Sequence, residues 1–244
     1  MTTRVKRQFL ISGWLKRNII TRINNIPNDI IKLITEFYPL LIEFEGSKFN
    51  LTDDEKLHLT EYLFKYLSSR QKTGKISNLK ASLLYDIDLN GADAINWHKK
   101  VDGHYNTLTL IQEMNYKHIF GCFVVDKYQS QTHKHLKDKS SFLFILRSTT
   151  LKDVECPKFI EIDGEKGPYD HTICGPCFGS TFDFAVFAYN YECYIGDHGE
   201  KSSIKSNYPG LKGKEFTGGI CDSIRQFRYN FTIEKMQTHR IDVE

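Results

Sequence analysis

The sequence predicts an α+β protein built on a two-sheet antiparallel β-sandwich with a few short flanking helices and preceded by an N-terminal helical segment. Phe and Tyr, which favour strands, account for 17 and 13 of the 244 residues. From about residue 79 onward, short apolar segments alternate with polar or Gly-containing turns, which is typical of antiparallel sheets. Before that point, apolar residues recur at helical spacing.

Residues 1–44 are predicted to form a basic helical segment. Pro27 suits a first helical position, and Pro39 ends the apolar pattern that follows it. No acidic residue precedes Asp29, whereas basic residues do: Arg4, Lys6, Arg7, Lys16, Arg17 and Arg22. This composition fits a solvated helix start, a mitochondrial presequence or contact with an anionic membrane surface. Residues 26–40 also slightly resemble the first helix of an F-box, which leaves an adaptor role as an alternative.

A second helix is predicted to begin near Thr52. The Thr52 hydroxyl is a good N-cap, and Glu55 three residues later completes a capping box. An apolar face follows, formed by Leu57, Leu59, Leu63, Phe64 and Leu67. This helix lies at the start of the main predicted domain, residues 45–244.

The rest of that domain is expected to contain one more short helix and a series of strands. Residues 91–100 suit the helix, with Ile95, Trp97 and His98 near one face. An apolar run at 79–86 precedes it. Strands are predicted after it at 107–112, 118–126, 141–147, 158–162, 182–188, 192–195 and 231–240.

The net charge and the hydropathy of the sequence argue against several classes of function. The net charge of +3 is too small to indicate nucleic-acid binding. No apolar run approaches the roughly 18–20 residues of a membrane helix, and no secretory signal is visible. We therefore expect a cytoplasmic protein, or a mitochondrial one if the basic N-terminus is a presequence. Its cysteines are then expected to be reduced: Cys122, Cys156, Cys174, Cys177, Cys193 and Cys221.

The motif CGPC at Cys174–Cys177 invites a redox interpretation. In dithiol enzymes, a helix that begins at the first cysteine lowers its pKa. Here the following residues alternate and are rich in Phe, so they predict a turn and then a strand, and the pKa argument fails. A structural turn with two buried cysteines is the favoured interpretation. A thiol redox protein that uses this pair remains the alternative, and a zinc site lacks two further ligands at suitable spacing.

The segment from Asp86 to Trp97 partly matches a calcium-binding EF-hand loop. It supplies the first ligand positions as Asp86, Asp88 and Asn90, and the loop glycine as Gly91. The match then fails, because Asp93 stands where an apolar residue belongs and Trp97 stands in place of the bidentate Glu. A turn at Asn90-Gly91 is the better interpretation.

Other searches for chemistry give no candidate catalytic residue. Nucleophile-elbow, zinc-protease, Walker and dinucleotide-binding patterns are missing from the sequence. His133 and His135 stand among lysines, which indicates an exposed loop. The sequence therefore predicts a protein that is not an enzyme and that needs no cofactor.

Several segments, taken in order, resemble the TLDc domain. They begin with an LLY strand, the aromatic–His pair Trp97-His98 with a turn at Asp102, and a TLTLI strand that starts at Thr107. A later strand carries the matching Gly121. The family's glycine turn is matched through Gly175, Pro176, Phe178, Gly179 and Asp183, and the segment 231–241 resembles its closing strand.

The resemblance carries expectations about function. TLDc proteins are associated with resistance to oxidative stress and with binding to the vacuolar proton pump, the V-ATPase, and no catalytic mechanism is established for the domain. It implies a protein-interaction module, expected to be monomeric, with the motif residues in structural roles. It also implies that Cys174 and Cys177 are residues of the glycine turn.

Overall fold

The computed structural model describes residues 41–68, 78–130, 133–136, 140–148, 156–161, 167–179, 183–188, 192–196 and 228–243. The predictions for the basic N-terminal segment and the F-box-like helix at 26–40 lie outside the described residues, as does Cys221. The chain divides into two compact units, of which one contains residues 51–68 and the other residues 43–50 and 80–242. No helix in the described ranges is long and apolar enough to span a membrane.

The first unit contains the predicted helix, α1 (Asp53–Ser68). Its capping box is confirmed: the Glu55 N–H donates to the Thr52 hydroxyl, and the Thr52 N–H donates to the Glu55 carboxylate at 2.7 Å. These bonds satisfy two amides that would otherwise lack partners at the helix start. The leucines of the predicted apolar face are buried. Phe64 is only partly buried.

The second unit holds nearly all of the strands and two short helices. The helices are α2 (Ile87–Asn90) and α3 (Ala94–Val101). The strands are β1 (Glu43–Phe44), β2 (Leu79–Asp86), β3 (Thr107–Glu113), β4 (Ile119–Val124), β5 (Lys134–His135), β6 (Phe142–Arg147), β7 (Lys158–Glu161), β8 (Pro168–Asp170), β9 (Cys177–Phe178), β10 (Phe184–Ala188), β11 (Glu192–Gly196), β12 (Arg228–Asn230) and β13 (Ile233–Val243).

These strands form two sheets, as predicted. The first has seven strands in the order β1-β2-β13-β3-β4-β6-β7, and the second has six in the order β12-β11-β10-β9-β8-β5. The β1–β2 pair is parallel, whereas β13–β3, β3–β4 and β4–β6 are antiparallel. One apolar core contains side chains from both sheets, among them Phe120, Leu143 and Met236 of the first and Phe178, Phe184 and Ile195 of the second. The predicted sandwich is thus confirmed.

The closing strand predicted at 231–240 is present as β13, which begins at Ile233 and pairs with β3 in the first sheet. A short strand that was not predicted, β12, precedes it and pairs with β11 in the second sheet. The chain crosses between the sheets at Phe231–Thr232. The Phe231 ring is buried there, with its centroid 5.2 Å from that of Phe120, so core packing directs the crossing.

The buried face of α3 also differs from the predicted face at one position. Trp97 and His98 are buried as predicted, but they share the face with Ala94 and Val101 rather than with Ile95. Ile95 is 63% exposed. A helical period of 3.6 residues explains this, because positions 94, 97, 98 and 101 fall on one side.

Candidate functional site

His98 points from α3 into a shell of hydrogen-bond acceptors. Its Nδ1–H donates to the Asp102 carboxylate at 2.7 Å, and its Nε2–H donates to the carbonyl oxygens of His171 at 2.9 Å and Cys174 at 2.8 Å. Because both ring nitrogens face acceptors, the geometry requires the protonated imidazolium. Burial opposes this charge, but Asp102 and the two carbonyls outweigh it, and the pKa of His98 is raised. We call these four residues the His98 network.

Asp102 connects the His98 network to the loop that follows β4. Its backbone N–H ends α3 by donating to the His98 carbonyl, and its carboxylate also accepts a hydrogen bond from the Ser130 hydroxyl. The N–H groups of Gln129 and Ser130 donate to the buried Asp170 carboxylate, each at 3.0 Å. The loop is therefore held from two sides by carboxylates that are themselves fixed in place.

Trp97 anchors the other end of the same helix face in the core. Its indole Nε1–H donates to the Thr238 hydroxyl of β13 at 3.0 Å, and its ring makes an edge-to-face contact with Tyr128 at 4.9 Å between centroids. The Thr238 hydroxyl is also 3.0 Å from the Thr109 hydroxyl of β3. The predicted aromatic–His pair thus joins α3 to the first sheet through Trp97 and to the 171–174 turn through His98.

The CGPC motif forms the predicted turn that enters a strand. Cys177 begins β9, and both Cys174 and Cys177 are buried. The Gly175 N–H donates to the Val186 carbonyl at 2.7 Å, and the Val186 N–H donates to the Pro176 carbonyl at 3.1 Å. None of the cysteines in the described part of the chain is in a disulfide bond.

A strand and not a helix follows the turn, as predicted, but the pKa of each thiol is nevertheless shifted. The pKa of Cys174 is lowered by a hydrogen bond from the Cys177 thiol, against the effect of burial, and the His98 charge lowers it further. Burial and the neighbouring Cys174 sulfur raise the pKa of Cys177. The Cys177 thiol and the His98 imidazolium therefore lower the pKa of Cys174, as the start of a helix lowers that of the first cysteine in dithiol enzymes.

The remaining residues of the family motif lie in the glycine turn, in the core and in the strands of the first sheet. Gly179 follows β9 with φ +84°, and the buried Asp183 side chain lies against its Cα. Phe178 is in the core between the sheets. Thr107 and Gly121 lie within β3 and β4 of the first sheet, away from the His98 network.

The partial calcium loop is not the simple turn that was predicted, because Ile87–Asn90 forms the short helix α2, and its carboxylates have protein partners. Asp86 caps α2, and Gly91 ends it with φ +89°. The Lys48 ammonium group lies 3.0 Å from Asp86 and 2.8 Å from Asp88, and Gln237 donates to Asp86 at 2.8 Å. The Lys48 ammonium group therefore supplies a positive charge to both carboxylates from the chain itself. Lys48 and Gln237 are distant in sequence, so the local pattern could not reveal them.

His133 and His135 are not in a simple loop. Lys134 and His135 form β5, the edge strand of the second sheet, whereas His133 is exposed. The His133 ring makes an edge-to-face contact with His171 at 4.2 Å. Burial, His133 and His98 together lower the pKa of His171, whose Nδ1 accepts a hydrogen bond from the Ile173 N–H. Across the described ranges, no three His, Cys, Asp or Glu side chains are grouped to hold a metal ion.

A further buried histidine, His239 in β13, was not predicted. Its ring contacts that of Phe44 edge to face at 5.2 Å between centroids, and neither of its ring nitrogens has a hydrogen-bond partner among the described residues. Burial lowers its pKa to about 4. His239 therefore stays neutral when folded, and its contribution to stability falls as the pH drops below about 6.5.

The contribution of His98 to stability should change with pH in the opposite direction to that of His239. Because the folded state raises the pKa of His98, its contribution to stability is complete below the unfolded value of about 6.5 and is lost as the pH rises through the folded value. We expect His98→Gln to lower the free energy of unfolding by about 1–3 kcal/mol at pH 6, with a smaller loss at pH 9.

Chemical denaturation of both proteins across this pH range measures the difference. His239 is present in both proteins, so its titration cancels when the two curves are subtracted. A difference that stays constant from pH 6 to pH 9 would contradict the imidazolium assignment.

The order and geometry of these residues agree with a comparison with known families. A family model described as the TLDc domain matches residues 52–228, which is more than half of the chain. No curated protein matches the sequence. The match includes the Trp97-His98 pair, the glycine turn and both sheets, except for β1, most of β12 and all of β13. The chain belongs to the TLDc domain family.

Proposed function

We propose that the chain is a non-enzymatic regulatory module that binds a protein partner, with subunits of the V-ATPase as the first candidates. The proposal rests on one observation, which is that the polar groups at the centre of the His98 network are buried and hydrogen-bonded within the protein. His98, Cys174 and Cys177 are buried, and the hydrogen bonds of His98 go to the protein itself. The imidazole of His98 and the two thiols are therefore in structural positions and are not accessible to a substrate.

The surface that this network supports is the segment 87–100. Leu89 and Ile95 are 73% and 63% exposed, which are the two largest values among the described large apolar residues. Lys99 and Lys100 are exposed on the same helix as Ile95. Nearby acidic groups are already paired, since Asp88 contacts Lys48 and Asp93 caps α3. The segment therefore presents apolar contacts with a positive charge, which favours an acidic partner surface.

We expect the double substitution Leu89→Ser and Ile95→Ser to reduce partner recovery at least about tenfold, because exposed apolar anchors account for most interface energy. The measurement is an affinity pull-down of the full chain from native lysate under reducing conditions, with V-ATPase subunits quantified by mass spectrometry. Met114→Ser is the matched control, because Met114 is 45% exposed but lies in the β3–β4 hairpin.

The experiment tests the identity of the partner and the location of the binding surface independently. If the wild-type chain recovers no proton-pump subunit, the V-ATPase assignment is wrong. If subunits are recovered equally by the wild-type chain and the double variant, the segment 87–100 is not the binding surface. Any protection against oxidative stress, the family's other association, is proposed to depend on the same binding and to be lost in the same variant.

A further inference from the structure

The segment 43–50, which we call the strap, covers a buried histidine that makes no hydrogen bond. His239 of β13 is fully buried, and neither of its ring nitrogens has a partner in the described part of the chain. Because β2 lies between β1 and β13, the Phe44 ring reaches over β2 to contact the His239 ring, at 5.2 Å between centroids. The backbone partner of Phe44 in β2 is Ala81, whose side chain is a single methyl group. An apolar ring of the strap therefore covers a group that is able to carry a charge.

A second residue of β13 also holds the strap. The Lys48 N–H donates to the side-chain oxygen of Gln237 at 3.0 Å, and the Gln237 amide donates to the Gly46 carbonyl at 3.1 Å. Gln237 and His239 are two residues apart in one strand, so their side chains lie on the same face of the sheet. The strand in the strap, β1, pairs with β2 over only two residues. The strap is thus attached by few bonds to the face that carries His239.

The charged groups around His239 do not form a hydrogen bond with it. Asp86 is buried, but hydrogen bonds from Gln237 and Lys48 outweigh the effect of burial and lower its pKa, so it stays ionised at pH 5. The Lys48 ammonium group pairs with Asp86 and Asp88. Opposite His239 in β3 is the uncharged Leu108. The other charged residues of the strap, β2 and β13 are at least partly exposed: Glu43, Glu45, Lys80, Glu234, Lys235, Arg240 and Asp242.

Protonation of His239 is therefore coupled to opening of the strap. Burial lowers the pKa of His239 to about 4, against the effect of the Asp86 charge, whereas a histidine in water titrates near about 6.5. The closed form is fully favoured above about pH 6.5 and loses stability as the pH falls toward about 4, because the proton binds more tightly when the strap is open. Between pH 7 and pH 5, these two values raise the ratio of open to closed forms about twentyfold.

We propose that the strap opens on mild acidification, so that residues 43–50 leave β2 and β13 while the rest of the two sheets stays paired. The two-residue pairing of β1 is much shorter than the ladder between β13 and β3, so the strap opens at a lower free energy than the ladder. One proton, taken up by His239, is all that the opening consumes. The open form bares the side of β2 that β1 covers, to which an extended segment of another chain can add.

Hydrogen exchange of the full chain at pH 7 and pH 5, followed by mass spectrometry, tests this proposal. The backbone N–H groups of Glu45 and Lys48 report on the strap, because both donate hydrogen bonds to residues outside it. After correction for the intrinsic exchange rate at each pH, we expect their protection to fall about twentyfold at pH 5. Protection of the β3 amides should stay well above that of the strap at both pH values. Equal protection of the strap and β3 would show that only the whole domain opens, and would overturn the proposal.

Two variants separate His239 from the other titrating groups. His239→Leu should hold the change in strap protection between pH 7 and pH 5 below about twofold, because no buried group is left to take up the proton. His104→Leu is the matched control, because His104 lies partly exposed in the turn after α3, and it should keep the full twentyfold change. An equal pH dependence in the wild-type chain and in His239→Leu would also overturn the proposal.

A variant in the strap itself decides the matter if circular dichroism shows that His239→Leu is not folded. Phe44→Ala leaves β13 unchanged but removes the ring that covers His239. We expect its strap to be less protected than that of the wild-type chain already at pH 7, and to depend less on pH. A wild-type level of protection at both pH values would contradict the role given to Phe44 and His239.

Discussion

Replacing Gly121 by alanine is expected to lower the free energy of unfolding by about 4 kcal/mol, which is among the larger effects a single substitution produces. Gly121 lies in β4 between β3 and β6, opposite Leu110 and Phe144. An added Cβ would lie far inside van der Waals contact with the Thr109 carbonyl oxygen and 2.9 Å from the end of the Phe144 ring. The carbonyl belongs to the backbone of a central strand and cannot turn aside.

Urea denaturation followed by circular dichroism measures this loss. A second variant shows which neighbour is responsible. Adding Phe144→Leu to Gly121→Ala removes the ring contact but leaves the Thr109 carbonyl in place, so we expect no recovery of stability. Full recovery in the double variant would show that the ring, and not the backbone, requires glycine at this position.

Gly179→Ala is expected to lower the free energy of unfolding by about 3 kcal/mol, for two reasons that add. The residue has φ +84°, a conformation that side chains other than that of glycine rarely adopt. An added Cβ would also lie 2.9 Å from the Asp183 Cβ and closer still to its carboxylate. Asp183 is buried, so its side chain has little freedom to move away.

Gly103→Ala is the matched control for this change. Gly103 has nearly the same backbone angle, φ +83°, but an added Cβ would meet no atom within 4 Å. Its alanine variant should therefore lose only the backbone contribution, about 1 kcal/mol. Equal losses at both glycines in the same denaturation assay would show that Asp183 does not contribute to the requirement for glycine.

Structural features that depend on residues close together in the sequence could be predicted. The capping box of α1 needs only Thr52 and Glu55, and β6 is a nearly continuous apolar run. The family motif then located the glycine turn and the Trp97-His98 pair. Local spacing and an ordered motif series were therefore sufficient for the fold class.

The chemistry of the site could not be predicted, because its partners are distant in the sequence. His98 donates to carbonyls that are 73 and 76 residues away, and a carbonyl group has no signature in the sequence. The pKa of Cys174 is lowered first by the Cys177 thiol, and the charge of the distant His98 lowers it further. Strands such as β5, β8 and β9, with two or three residues each, are too short to show a period.

The position of β13 has a consequence for the order in which this protein is made. This strand lies between β2 and β3, which are synthesised more than a hundred residues before it. Until it arrives, β2 has no partner on that side, and the edge of β3 offers unpaired amide and carbonyl groups to other chains. The nascent protein thus passes through a long interval in which its first sheet is open at the centre, and chaperones that recognise exposed strand edges would find it there.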